Sequence, residues 1–209
     1  MSRWKPDARG RLEKAALELY NLKGFDATTV GEIAGRAGLT ERTFYRHFAD
    51  KREVLFPSAS PLPAILANAT ATAPASLPPL EVVTLALIEA APVYEEREHL
   101  VRQRQAVIAA NPELQERELA KLAALAATLT QALRERGLDP ATAPLAAEIG
   151  IAALKVAFDR WVNDPDRHSL AQHIRETLDA AGHLGCRCHS GRGGCRPNGD
   201  PAGHSAGGS

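Results

Sequence analysis

The chain has 209 residues, 44% hydrophobic and 5% aromatic, with 25 basic residues set against 25 acidic ones and a pI near 7. This balance excludes a chain that is cationic along its whole length, and a body dominated by Ala and Leu favours helices over sheet. No apolar run reaches the roughly 20 residues of a membrane span, the first residues lack the apolar centre of a secretion signal, and all three cysteines lie at 186, 188 and 195, so a cytoplasmic protein without a disulfide framework is expected.

The first predicted helix runs from Arg9 to Leu22, where Leu12, Ala15, Ala16 and Leu19 follow the i, i+3, i+4, i+7 spacing of one buried side. Gly24 stands where a left-handed C-cap glycine belongs. Thr29 and Glu32 make a capping box ahead of a second helix, whose stripe is Val30, Ile33, Ala34 and Ala37. Gly31 and Gly35 lie off that stripe, so no core is expected beside them. Gly38-Leu39 is a tight break, Thr40 is the next N-cap, and a third helix runs from Glu41 to about Phe48. A helix followed by two helices joined through a short glycine-containing turn is a helix-turn-helix unit. Phe44 and Phe48 seat the third helix on the other two. Its remaining sides carry Glu41, Arg42, Thr43, Tyr45, Arg46 and His47, groups that reach phosphate oxygens and base edges in a major groove. Up to Phe56 there are eleven Lys/Arg against eight Asp/Glu, a local excess of +3 balanced by −3 in the remainder.

Over Lys23 to Phe56, "KGFDATTVGEIAGRAGLTERTFYRHFADKREVLF", the chain resembles the tetracycline-repressor (TetR) family of bacterial transcriptional regulators. The specific elements are Gly-Phe before the capped second helix, the Ala-Gly-Leu-Thr turn, the Phe-Tyr-Arg-His-Phe core and the following Lys. The resemblance implies an all-α fold, with a helix-turn-helix DNA-binding domain over 1–56 and a helical ligand-binding and dimerisation domain over 57–184. It further implies a homodimer formed through the last two helices, a near-palindromic double-stranded operator and a small-molecule effector that releases it, hence a repressor. Arg42, Tyr45 and Arg46 are the expected base readers, helped by Glu41 and Thr43. Thr29, Thr40, His47 and Lys51 are the expected phosphate contacts, although the two threonines would cap helices with no DNA present.

Beyond Phe56, Pro57, Pro61 and Pro63 predict a broken connector where the family has a long helix. Helical patterns then run from Leu80 to about Tyr94, from Arg97 to Ala110, from Asn111-Pro112 to near Gly137, from Asp139-Pro140 to about Val162, and from Asp166 to Leu184. Arg104 falls on an apolar side among Leu100, Val101, Val107 and Ile108. A buried guanidinium there needs a carboxylate partner or an anionic ligand. Arg104, with Phe158 and Trp161, is the candidate effector set, against the alternatives of a structural ion pair and plain core aromatics. The helix after Pro144 is apolar nearly all round, and the last one carries the stripe Leu170, Ile174, Leu178, Ala181. Residues 185–209 are Gly/Ser/Pro-rich and expected to be disordered. Their Cys-Arg-Cys-His is not a usual zinc spacing, so no metal and no cofactor is assigned. No phosphate loop, nucleophile elbow or helical His-Glu-x-x-His is present. Two rival readings are a DNA-bound interaction protein of the same fold, marked by a pocket too small for a ligand, and a helical enzyme or binding protein with a vestigial first domain.

Overall fold

The computed structural model describes residues 7–56 and 60–184, and every regular element within them is helical. Three helices come first: α1 (Ala8–Lys23), α2 (Val30–Arg36) and α3 (Glu41–His47). Local chemistry sets their ends. Gly24 takes φ 91° and closes α1 by donating its amide to the Tyr20 carbonyl. The Glu32 amide donates to Thr29 Oγ1, and the Thr29 amide donates back to the Glu32 carboxylate at 2.9 Å. A bond from Lys23, then the amide and hydroxyl of Thr29, hold the Glu32 carboxyl down to about 2. Gly38 turns the chain between α2 and α3 at φ 64°, a conformation costing an L side chain about 1–2 kcal/mol. Thr40 caps α3 through the Thr43 amide.

Seven helices follow: α4 (Leu62–Thr72), α5 (Pro79–Ala90), α6 (Pro92–Glu95), α7 (Glu98–Ala109), α8 (Pro112–Glu135), α9 (Thr142–Asn163) and α10 (Leu170–Leu184). Helices α4, α5, α8, α9 and α10 enclose one core, centred on Val83, Leu87, Leu129, Leu133, Ala147 and Ile174. Gly150 lets α9 approach α5 closely, since a Cβ there would lie 2.2 Å from Val83 Cγ1. A second core joins α1, α2 and α3 through Leu12, Ile33, Phe44, Phe48 and Phe56. It also takes in Val107, Ile108 and Leu114 from α7 and α8, so packing does not stop at residue 56. Among the described residues no helix is long and apolar enough to cross a membrane.

Several expectations change. The helix expected over 80–94 is two, because Pro92 has no amide hydrogen for the Ile88 carbonyl; that carbonyl accepts from Ala91 at 3.1 Å instead. Pro61 and Pro63 do not interrupt a helix but open one, as N-cap and N2 of the eleven-residue α4. Pro57 lies outside the described residues. Asp139 caps the start of α9 through the amides of Ala141 and Thr142, both at 3.0 Å, and the helix begins at Thr142. Helix α10 begins at Leu170, not Asp166: Arg167 takes φ 56° in the preceding loop, and Ser169 Oγ accepts from the Gln172 amide. The 185–209 tail lies outside the described residues.

The stripe of α10 is not an exposed dimer face. Leu170, Ile174 and Leu178 are buried in their own protomer's core against α5 and α9. Of these two helices it is α9 that carries exposed large apolar positions: Leu145 at 62%, Ile149 at 37% and Val156 at 52%.

Candidate nucleic-acid interface and adjoining cavity

Helix α3 is bound to the core by Phe44, which is fully buried, and by Phe48 just beyond it, their rings 5.4 Å apart. Seven residues make two turns, so seating two phenylalanines on one side leaves the rest outward. Arg42, Tyr45 and Arg46 are exposed and share a shallow concavity with Thr40 and Thr43. Tyr45 meets Phe44 edge-on, with centroids 5.6 Å apart, yet 55% of it faces solvent. The hydroxyls of Thr40 and Thr43 lie 3.1 Å apart at the front of the helix. Glu41 leans back towards α2, where only its carboxylate approaches Gly31; nothing comes within 4 Å of a Cβ built at Gly35.

Two expected phosphate contacts, Lys51 and His47, are less exposed than Arg42, Tyr45 and Arg46. Lys51 donates from Nζ to the carbonyls of Phe25 at 2.9 Å, Thr28 at 3.0 Å and Asp26 at 3.2 Å, and sits over the Phe25 ring at 4.4 Å. All three ammonium protons thus point at the chain between α1 and α2. His47 has its Nε2 enclosed with no partner among the described residues. Thr29 and Thr40 face outward at their helix starts, each also a cap.

Behind this domain lies a cavity of about 1300 Å³. Its wall includes Leu17 of α1, Val54 and Leu55, Leu62 of α4, Tyr94 of α6, and residues of α7, α8 and α9. Arg104 lines it and joins the two parts of the molecule. Its Nε donates to the Leu55 carbonyl at 2.6 Å, its NH1 lies 3.2 Å from Glu118, and its guanidinium covers the Phe56 ring at 4.9 Å. Arg104 is half-buried, not buried, and Glu118 is its carboxylate partner. Arg117 and Lys121 crowd the same ring at 5.7 and 5.6 Å. Burial, then repulsion from Arg104 and Arg117, lowers the Lys121 ammonium below its ordinary range. Phe158 lines the cavity and meets Tyr94 edge-on at 5.2 Å. Trp161 does not: it is 2% exposed in the core, where Arg102 donates to its carbonyl at 2.9 Å.

Residues 12–56 match the family model described as "Bacterial regulatory proteins, tetR family", and residues 77–183, half of the chain, match the "MftR C-terminal domain". The chain belongs to the TetR family. Among curated relatives, the HTH-type transcriptional regulator TcmR of Streptomyces glaucescens is 37% identical over 76 residues, 36% of this chain and 34% of TcmR. The chain thus spans about a third of that relative's length. YerO of Bacillus subtilis, an HTH-type transcriptional regulator, is 39% identical over 49 residues, 23% of this chain and 17% of YerO. Among solved structures, the SmeT–triclosan complex, SmeT being a Stenotrophomonas maltophilia repressor, covers 93% of this chain and 99% of its own at 21% identity and TM-score 0.61. Thermus thermophilus FadR with lauroyl-CoA covers 89% and 100% at 24% identity and TM-score 0.54. At these identities the likeness shows a shared TetR fold.

Sequence reasoning missed the other groups that tie the TetR-type first domain to the second. Glu13, nearly buried, pairs with Arg97 and lies 3.2 Å from Arg9. Arg52 meets Glu113 at 3.0 Å, and Asn21 donates to the Gln103 carbonyl. Glu13 shares a face of α1 with the buried Ala16, Leu17 and Tyr20 at i+3, i+4 and i+7, a charged residue in an apolar stripe and so a signal legible in sequence. The others are polar or charged residues at exposed or half-buried positions, with no such mark.

Proposed function

We propose that this chain is a dimeric, effector-responsive repressor of transcription, not an enzyme and not an effector-free scaffold. The observation that carries the reading is the cavity's position: α1, Val54 and Leu55 share its wall with the helices of the second domain, so what fills it bears on where α3 sits. Its volume exceeds the roughly 300–1000 Å³ of ordinary ligand sites, contrary to the small pocket expected of an effector-free relative. That SmeT and Thermus FadR have been solved with triclosan and lauroyl-CoA supports reading this cavity as an effector site. The effector is largely apolar, against Leu100, Val101, Leu122 and Phe158, with a polar group facing Tyr94, Arg104 and Gln105. Burial pushes the Tyr94 hydroxyl up to about 12, so it remains a donor at neutral pH.

In this reading Arg42, Tyr45 and Arg46 read bases, with Glu41 and Thr43 beside them and Thr29 and Thr40 at phosphates; Lys51 braces the fold. Two copies pair through the Leu145, Ile149, Ala152, Val156 stripe of α9, which follows i, i+4, i+7, i+11. Ala152 and Val156 also stand at the cavity rim, so the partner copy closes one side of it. The two α3 helices then enter major grooves about 34 Å apart on a near-palindromic site. Release requires an effector that binds the DNA-incompetent arrangement more tightly, because equal affinity for both shifts nothing.

Selecting bound sites from random DNA, then screening compounds for release, tests the reading. The expected outcome is an inverted repeat bound by a dimer, and a compound whose effect on DNA affinity is weakened by Arg104→Gln. A chain that prefers no sequence over random DNA at physiological salt overturns the DNA reading. Compounds that occupy the cavity without changing operator affinity overturn the effector reading.

A further inference from the structure

We propose that Asp164, His168 and His173 form a site for a divalent transition-metal ion of the zinc type, which pins the end of α9 to the start of α10. Asp164 terminates α9, His168 lies in the connecting loop and His173 stands in the first turn of α10. Their donor atoms all fall within 4.8 Å of one another. Asp164 Oδ2 is 2.8 Å from His168 Nδ1 and 3.1 Å from His173 Nε2. Zinc bonds of about 2.0–2.2 Å at tetrahedral angles place donor atoms roughly 3.4 Å apart. A small rotation of the half-exposed His168 ring therefore suffices to take an ion.

Three features favour a cation over a plain hydrogen-bonded cluster. Asp164 Oδ2 also accepts the His168 amide at 2.8 Å, so three donors converge on a single oxygen. One ion bound to both rings in place of their two protons relieves that crowding. The other carboxylate oxygen accepts the Asp166 amide at 2.9 Å, the kind of outer contact that orients a ligating carboxylate. Finally, His173 is 6% exposed and its Nδ1 has no partner among the described residues. Whatever compensates for burying this imidazole acts through Nε2, the atom aimed into the cluster. Asp166 and Glu176 add negative field at His168. Two imidazoles and one carboxylate suit zinc, with water completing the set on the open His168 side. Metal binding leaves the His173 proton on the unpartnered Nδ1, which holds the affinity below that of a fully supported site. The bound ion would stiffen the α9–α10 pair, independently of whether the cavity takes an effector.

The test uses the full chain carrying Cys186→Ser, Cys188→Ser and Cys195→Ser, which removes the tail thiolates as competing ligands, after treatment with a chelator. Calorimetric titration with Zn2+ should show one ion per protomer, and saturation should raise Tm. Co2+ should give a tetrahedral d–d spectrum. His168→Ala, at a half-exposed position, should fold normally and weaken Zn2+ binding at least about tenfold. Asp164→Asn, nearly isosteric, should do the same. No saturable Zn2+ binding by the cysteine-free chain, or an affinity unchanged in His168→Ala, overturns the site.

Discussion

Replacing Lys51 by methionine separates two roles for the lysine that follows α3. If it clamps a phosphate, the loss falls on DNA binding and on its salt dependence. If it braces the fold, the loss falls on stability. Two of its three carbonyl contacts, to Phe25 and Thr28, are partly buried, and the third, to Asp26, is exposed. A hydrogen bond from a charged donor contributes about 1.5–3 kcal/mol net, and the contact with the Phe25 ring about 0.5–1 kcal/mol. The exposed bond counts for little, the freed carbonyls partly rehydrate, and methionine keeps some of the ring contact. What remains is about 2 kcal/mol, a fall in Tm of about 4–8 °C for a chain of this size. Thermal melts with and without urea give the stability, and operator affinity across a salt series gives the charge count. The brace predicts a lower Tm with an unchanged salt slope. A Tm within about 1 °C of the parent, with a slope smaller by about 0.9, would refute the reasoning and return Lys51 to the phosphate.

Arg46→Ala should weaken operator binding by about 1–3 kcal/mol and relax preference at one base pair; isotherms on operator and random DNA check this, and equal losses on both would mark a phosphate contact. Gly150→Ala brings a methyl to 2.2 Å from Val83 Cγ1, so overpacking of about 1–3 kcal/mol should exceed the helix-propensity gain of about 0.5–1 kcal/mol. Its Tm should fall. The Gly31→Ala, Gly35→Ala double variant meets only the Glu41 carboxylate end and should melt higher while still binding operator; a lower Tm would point to a close backbone approach. Glu32 is held at about 2 against an ordinary 4.5, so below 4.5 the unfolded chain binds a proton that the folded chain refuses. Its stabilisation is complete above that range and is lost as pH falls towards 2. Denaturation of Glu32→Gln from pH 5 to 2 should show a shallower acid loss than the parent, and identical slopes would count against the capping-box assignment.

The helix ends and buried stripes of the first domain were legible because their causes are local. Gly24 needs φ 91° for its own cap, Thr29 and Glu32 satisfy each other three residues apart, and the four-residue spacing of Phe44 and Phe48 brings both to one side of α3. The break at Pro92 obeys an equally local rule, the missing amide, and was open to the same reading. The rest depends on partners distant in sequence. Lys51 meets carbonyls 23 to 26 residues away, and Arg104 meets Leu55 and Glu118 at 49 and 14. No spacing rule couples residues so far apart, so a basic side chain reads alike whether it faces DNA, a carbonyl or a carboxylate. Helices α9 and α10 show the same limit. Periodicity says which side chains share a face, but whether that face is covered by its own core, as Leu170 and Ile174 are, or stays outward, as Leu145 and Val156 do, is decided only when the helices pack, because burial is a property of neighbours and not of the strip of sequence that carries it.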